Sequence, residues 1–250
     1  GGEPLSVGLD FYKKVIQYQE RYKKTDQRII NSLQTNGTLL SDEWASFLKE
    51  TDFKVGVSID GPEVIHNHDR KLNSGAGSFA EVMRGIETLR KVGLEFGTLT
   101  VVTKESLPYA QEIYHFFVNN GMNAMDFLPH AELDPRTRTF YRNSVTPLDF
   151  YYFLVKVFEL WFEENNPNIH IRTFENILTG LLGGKPTLCK FAGTCAKFLT
   201  VQPNGDIYPD DNFTCYDELR LGNLLTTSLD EILKGDRYQT FARDVMEKKN

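Results

Sequence analysis

Three cysteines, Cys189, Cys195 and Cys215, fall in the last quarter of a 250-residue chain. An odd number of thiols in a sequence without a secretory signal points to free thiols or metal ligands rather than disulfides. Two carboxylates, Asp210 and Asp211, follow the first two cysteines by a short interval. A carboxylate can ligate a metal or accept a proton. The first half of the chain holds four short motifs of a different kind: Gly2-Glu3-Pro4, Gln34-Thr35-Asn36-Gly37, Ser58-Ile59-Asp60-Gly61 and Phe127-Leu128-Pro129. His66 and His68 lie in a polar stretch before Arg70. Their i, i+2 spacing does not match the i, i+4 pairs that bind metals on helices. His115, His130 and His170 show no partner pattern.

These residues need elements to hold them. Apolar residues recur at helical spacing from Leu9 to Tyr22. Ile29 to Gln34 reads as a strand. Ser41 is an N-cap for a helix through Trp44, Phe47 and Leu48. Val55 to Ile59 alternates as a strand does. Ser78 and Glu81 have the spacing of a capping box, for a helix that ends near Gly93. Phe96 to Thr103 is a strand rich in Thr and Val. A helix from Pro108 to Asn119 and a short strand from Met125 to Leu128 follow. Alternation of this kind implies a parallel sheet with right-handed crossovers, whose ligands sit at the C-terminal strand ends. The last three motifs follow or end strands, so one rim of one sheet would collect them. Asn-Gly and Asp-Gly also occur in plain strand-to-helix turns.

Beyond this the texture changes. Thr146-Pro147 opens a long aromatic helix, expected to be buried by packing. Gly183-Gly184 marks a boundary. Phe198 to Val201, Pro203-Asn204-Gly205 and Asp206 to Tyr208 form a β-hairpin. Ser228 and Glu231 cap a final helix. Three domains are expected: residues 1–145, a helical connector over 146–184, and residues 185–250.

The bulk numbers narrow the class. Hydrophobic residues are 40% and charged residues 25%, as in a soluble globular protein. A net charge of −6 argues against nucleic acid as a main partner. No run of about 18 apolar residues exists that could span a membrane.

In this order, Gly1-Gly2-Glu3-Pro4, Asn31 to Leu39 and Val57-Ser58-Ile59-Asp60-Gly61-Pro62 resemble the radical S-adenosylmethionine (SAM) superfamily. Cys189, Cys195, Gly205-Asp206-Ile207-Tyr208-Pro209 and Leu221-Gly222-Asn223-Leu224 resemble the front half of a SPASM extension. Ser32 to Leu40, His66 with Arg70-Lys71, and Trp161 look most like the anaerobic sulfatase-maturating enzymes. The resemblance covers essentially the whole chain. It implies an α/β fold: a partial (β/α)6 barrel followed by the front part of an auxiliary-cluster domain. It also implies two cofactors, SAM and [4Fe–4S] clusters. Reductive cleavage of SAM gives a 5′-deoxyadenosyl radical that oxidises a Cys or Ser of a sulfatase to formylglycine. The partners implied are the sulfatase or another peptide, and an electron donor such as flavodoxin or ferredoxin, in the cytoplasm and without nucleic acid or membrane.

The resemblance assigns roles. Glu3 and the backbone of Gly1 and Gly2 would accept from the SAM ammonium. Arg70 would pair bidentately with its carboxylate. Ser58 would donate to that carboxylate or to ribose, Leu128 would lie against adenine, and Gln34 and Asn36 would touch SAM or substrate. Cys189, Cys195 and Asp210 would occupy auxiliary-cluster ligand positions, and Asp211 would be the base. The chain departs from the pattern at Asp210, where the family has Cys. It also opens inside a glycine motif, so it reads as an internal piece. The three-cysteine loop is expected before Gly1 and the later SPASM cysteines after Asn250, so the chain alone is expected not to cleave SAM. Two other readings compete: a maturase of a small ribosomal peptide, and a degenerate, cluster-free peptide-binding module.

Overall fold

The computed structural model describes residues 2–132, 134, 136–137, 139–142, 144–193 and 197–247. Packing divides the chain into two units. The first takes in Gly1–Glu132 and Tyr141–Thr173, the second Leu133–Phe140 and Phe174–Asn250. The helical connector expected over 146–184 lies across both units. Its part up to Thr173 packs with the first unit and the rest with the second.

The first unit is built on a parallel sheet with strand order β1-β2-β3-β4-β5. The strands are β1 (Ser32–Thr35), β2 (Lys54–Ser58), β3 (Phe96–Val102), β4 (Ala124–Pro129) and β5 (His170–Ile171). Sequential order with all pairs parallel is the arc of a (β/α) barrel. The helices are α1 (Leu9–Tyr22), α2 (Asp42–Glu50), α3 (Glu63–Asp69), α4 (Phe79–Lys91), α5 (Ala110–Asn119) and α6 (Pro147–Glu164).

The local reasons are visible in the sequence. The Ser41 hydroxyl accepts from the Trp44 amide at 3.3 Å, and Asp42 and Glu43 favour the positive end of α2. Val55 and Val57 alternate with exposed or half-buried neighbours along β2, so one face of the sheet meets the helices. Trp44, Leu48, Ile86, Leu89, Ile113 and Phe117 from the helices fill that interface. Each such side chain contributes roughly 1.5–3 kcal/mol by burial.

Register places Gln34 beside Gly56, Ser58 beside Leu99 and Val101 beside Leu128. These positions alternate with the helix-facing ones, so they share the opposite face. Gly56 leaves room for the Gln34 side chain. A Cβ on it would lie 2.0 Å from the Gln34 side-chain oxygen. Gly85 in α4 is needed, since its Cβ would meet the backbone carbonyl of Gly37 at 2.2 Å.

Three expectations are corrected. The first strand starts at Ser32, not Ile29. Its ladder begins where Lys54 pairs, and Ile30 is left 61% exposed. Ser78 heads α4 but its hydroxyl makes no cap bond, being drawn elsewhere. In α6 only Phe153 and Val157 are buried, because one stripe suffices to pack against α5, while Tyr151, Tyr152 and Phe162 stay exposed. The strand β5 was not anticipated, since its length shows no alternation.

Helices α7 (Arg172–Leu181), α8 (Cys189–Ala192), α9 (Leu229–Lys234) and α10 (Asp236–Glu247) follow. An antiparallel sheet of order β6-β7-β8 (Thr200–Val201, Asp206–Tyr208, Gly222–Asn223) forms the centre of the second unit. The expected capping box at Ser228 and Glu231 is present. No helix among the described residues is long and apolar enough to cross a membrane.

Candidate functional site

Glu3 caps the turn Pro4–Val7. One carboxylate oxygen accepts from the Leu5 amide at 3.1 Å and from the Thr35 hydroxyl at 2.6 Å. The other accepts from the Asn36 amide at 2.7 Å. Two of these three bonds tie Glu3 to the end of β1, the third caps its own turn, and about one of a carboxylate's four acceptor positions is left for a ligand. The Asn36 carbonyl is taken by the Thr38 amide and hydroxyl at 3.0 and 2.8 Å. Its Nδ2 is given no partner among the described residues.

At the end of β2 the Asp60 carboxylate is 6% exposed as a residue and is held by three donors. The Val101 amide lies at 2.9 Å, Arg70 Nε at 2.6 Å and Arg70 Nη2 at 3.1 Å. The side-on edge of the Arg70 guanidinium is thus used internally. Its other edge, Nη1 with the second hydrogen of Nη2, is free to bridge a ligand carboxylate.

Two cavities meet at Arg70. One of about 530 Å³ is lined by Glu3, Asn36, Thr38, Arg70, Lys71 and Ser78, among others. The second, about 420 Å³, is lined by Asp60, His68, Arg70, Thr103, Glu105 and His130, among others. Glu3, Asn36 and Arg70 are therefore brought together. Gln34 and Ser58 form a separate pair on the open face of the sheet, with Gln34 Nε2 donating to Ser58 Oγ at 3.0 Å. Leu128, 36% exposed, shares that face. Gly2 is exposed and Gly1 lies outside the described residues.

The sequence reading gave no role to Asp60, His66 or, in the second unit, Asn176. Asp60 was read only as part of a turn. His66 is wholly buried, not in a polar loop, and bonds the Asp60 amide and Ser78. A histidine four residues before an arginine was the available signal. Asn176 left none. Its side-chain oxygen accepts from the Thr187 and Leu188 amides at 2.7 and 2.8 Å and so holds the loop before Cys189.

In the second unit Cys189 begins α8 and is half-buried, and Cys215 is exposed. Cys195 lies outside the described residues. Among the described residues no three His, Cys, Asp or Glu side chains are placed to hold a metal. The Asp210 carboxylate caps the turn Asp211–Phe213 and accepts from Asn212 N at 3.0 Å and Nδ2 at 2.6 Å. Asn212 Nδ2 also reaches Asp211 at 3.3 Å. The two aspartates do not point opposite ways, as an extended segment would require. A tight turn starts between them, and both carboxyls converge on one amide. The Asp211 carboxyl is pushed above the usual carboxylate range by its hydrogen bond with Asp210, then by burial and Asp210's charge. Burial also pushes Asp210 up, but hydrogen bonds from Asn212 and Asp211 outweigh it and hold that carboxyl low.

Comparison with known proteins gives the same outline. Residues 1–117 match the Radical SAM superfamily and residues 189–250 match SPASM, an iron-sulfur cluster-binding domain. A cysteine-type anaerobic sulfatase-maturating enzyme of Clostridium perfringens is 36% identical over 245 residues, covering 97% of this chain and 66% of the relative. A serine-type enzyme of Bacteroides thetaiotaomicron is 34% identical, covering 96% of this chain and 61% of the relative. The chain thus spans just under two thirds of these curated relatives. The solved structure of native anSMEcpe with bound AdoMet and Cp18Cys peptide superposes with a TM-score of 0.87 at 34% identity, covering 98% of this chain and 68% of that one. The strand-end site, the sheet order and these matches agree: the chain belongs to the radical SAM superfamily and, within it, to the SPASM-bearing family of the anaerobic sulfatase-maturating enzymes.

Proposed function

We propose that this chain provides the SAM- and peptide-handling core of an enzyme that oxidises a cysteine or serine of a sulfatase to formylglycine. The observation that carries the reading is the cavity of about 530 Å³ at the strand ends, where Glu3, Asn36 and Arg70 converge. Its volume is that of a small-molecule site. Its donor set fits an amino acid head group. Arg70 offers its end-on edge to a carboxylate, Asn36 an amide donor, and Glu3 an acceptor for an ammonium. Bound SAM, with its iron–sulfur cluster, would supply hydrogen-atom abstraction.

The protein's own residues do the rest. Ser58, oriented by Gln34, offers a hydroxyl on the open face of the sheet. Leu128 presents apolar surface there for adenine. Asp211, whose carboxyl is made more basic by its hydrogen bond with Asp210 and by burial, takes the proton of the substrate thiol or hydroxyl. Cys189 and Cys195 are proposed as thiolate ligands of an auxiliary cluster. Asp210 fits a ligand role poorly, since Asn212 occupies its carboxylate. Such a cluster would take up the second electron of the oxidation, as the proton leaves to Asp211. An electron donor such as flavodoxin or ferredoxin, and a cytoplasmic setting, complete the reading on the resemblance alone.

The test uses the full-length protein that contains this chain, reconstituted anaerobically with iron and sulfide. SAM, a reductant and sulfatase-derived peptides carrying Cys or Ser are supplied. Formylglycine by mass spectrometry in at least one peptide supports the proposal. Formation of 5′-deoxyadenosine without oxidation of either peptide would discard the sulfatase as substrate.

A further inference from the structure

We infer that His66 is a positioning residue: with Ser78 it closes a ring of hydrogen bonds that presents the Arg70 guanidinium to the ligand cavity. The ring has four members. The Asp60 amide donates to His66 Nδ1 at 3.2 Å. With Nδ1 as acceptor, the ring proton is on Nε2, which donates to Ser78 Oγ at 3.0 Å. Ser78 Oγ donates to the Arg70 carbonyl at 3.3 Å, and the Ser78 amide donates to the same carbonyl at 3.2 Å. Arg70 returns to Asp60 through its side-on edge.

Each bond removes a freedom that Arg70 would otherwise have. Ser78 holds its backbone and Asp60 holds the plane of its guanidinium. Asp60 is anchored in turn to β3 by the Val101 amide, and the neighbouring Ile59 carbonyl accepts from Thr100 Oγ1 at 2.9 Å. His66 joins the two halves, from a site with no solvent exposure and with the Phe79 ring packed edge-on at 5.9 Å. This also explains why the Ser78 hydroxyl does not cap α4: it is committed to His66 and Arg70. A neutral histidine can accept from an amide on one side and donate to a hydroxyl on the other, which the imidazolium cannot. Burial, with the Arg70 charge, holds the imidazole neutral down to about pH 4 against the pull of Asp60.

The inference rests on the reading in which Arg70 binds the SAM carboxylate, and the experiment separates the two. The full-length, cluster-loaded protein and its His66→Asn, His66→Gln, Ser78→Ala and Arg70→Ala variants are titrated by equilibrium dialysis. The probes are SAM and 5′-methylthioadenosine, which lacks the carboxylate. Asn places an acceptor near the Nδ1 position, and Gln reaches toward Ser78. Each restores one bond of the ring. SAM affinity is expected to fall roughly tenfold in Ser78→Ala and in the weaker of the two His66 variants, with methylthioadenosine unchanged. The His66→Asn effect should vanish when Arg70 is already Ala. If Arg70→Ala leaves SAM binding unchanged, the reading of Arg70 fails and the inference with it. If Arg70→Ala weakens SAM while the His66 and Ser78 variants do not, the inference alone fails. Equal loss of both probes would show general loosening of the fold and would also overturn it.

Discussion

Glu3 accepts a 2.6 Å hydrogen bond from the hydroxyl of Thr35, 32 residues further along the chain. With the 2.7 Å bond from the Asn36 amide, it fastens the glycine motif to the end of β1. Glu3 therefore has a structural duty beside its proposed ligand duty. Glu3→Gln keeps the shape but sets an amide N–H against a donor. We expect it to lower unfolding free energy by about 1–3 kcal/mol in a urea titration. An unchanged midpoint would show that Glu3 is not bonded in this way.

Arg70→Ala is expected to weaken SAM binding by roughly ten- to a hundredfold, the worth of charge-assisted bonds of about 1.5–3 kcal/mol. Arg70→Lys should recover only part, because an ammonium cannot grip both oxygens of a carboxylate with two parallel bonds, as each guanidinium edge does. Equilibrium binding on the full-length protein measures both. Lysine recovering the full affinity would argue against the two-edged arrangement.

The His66 imidazole takes up a proton near its ordinary value of 6.5 when unfolded, but only near about 4 in the fold. Between these values the unfolded chain binds more protons. The histidine's contribution is thus fully present above pH 6.5 and is lost as pH falls towards 4. The loss amounts to about 3 kcal/mol. His66→Gln should flatten the fall between pH 7 and pH 5 relative to the parent, in thermal or denaturant unfolding. Parallel curves for parent and variant would show that the buried ring does not titrate this way.

Asp211→Asn should still permit SAM cleavage in the full-length enzyme while strongly reducing oxidised peptide. Asp210→Cys should raise iron content and leave SAM cleavage intact. Deoxyadenosine and peptide product are read together for each variant. Because both carboxyls meet at Asn212, Asp210→Asn is expected to slow peptide turnover less than Asp211→Asn. The opposite order would exchange their roles.

The parallel α/β architecture and the residues collected at its rim were legible in the sequence because their causes are local. Alternation in Val55 to Ile59, the cap at Ser41 and the turn at Gly205 each depend on a few neighbours in the chain. Ser78 with Glu81 shows the limit. The spacing is that of a capping box, yet Ser78 bonds His66 and the Arg70 carbonyl. The same pattern at Ser228 and Glu231 does form the box. Nothing within the four residues distinguishes the two cases; the difference is a buried imidazole 12 residues away.

Residue types and their order thus determined the family and the sheet. Only the tertiary structure decided how each candidate side chain is occupied. Glu3 is fastened to β1, Arg70 gives one edge to Asp60 and keeps the other, and the two aspartates face one amide instead of parting. Partner choice of this kind depends on which donors and acceptors are brought within about 3 Å after the strands take their register. Pairings such as Asp60 with Val101, 41 residues apart, leave no periodic mark in the chain.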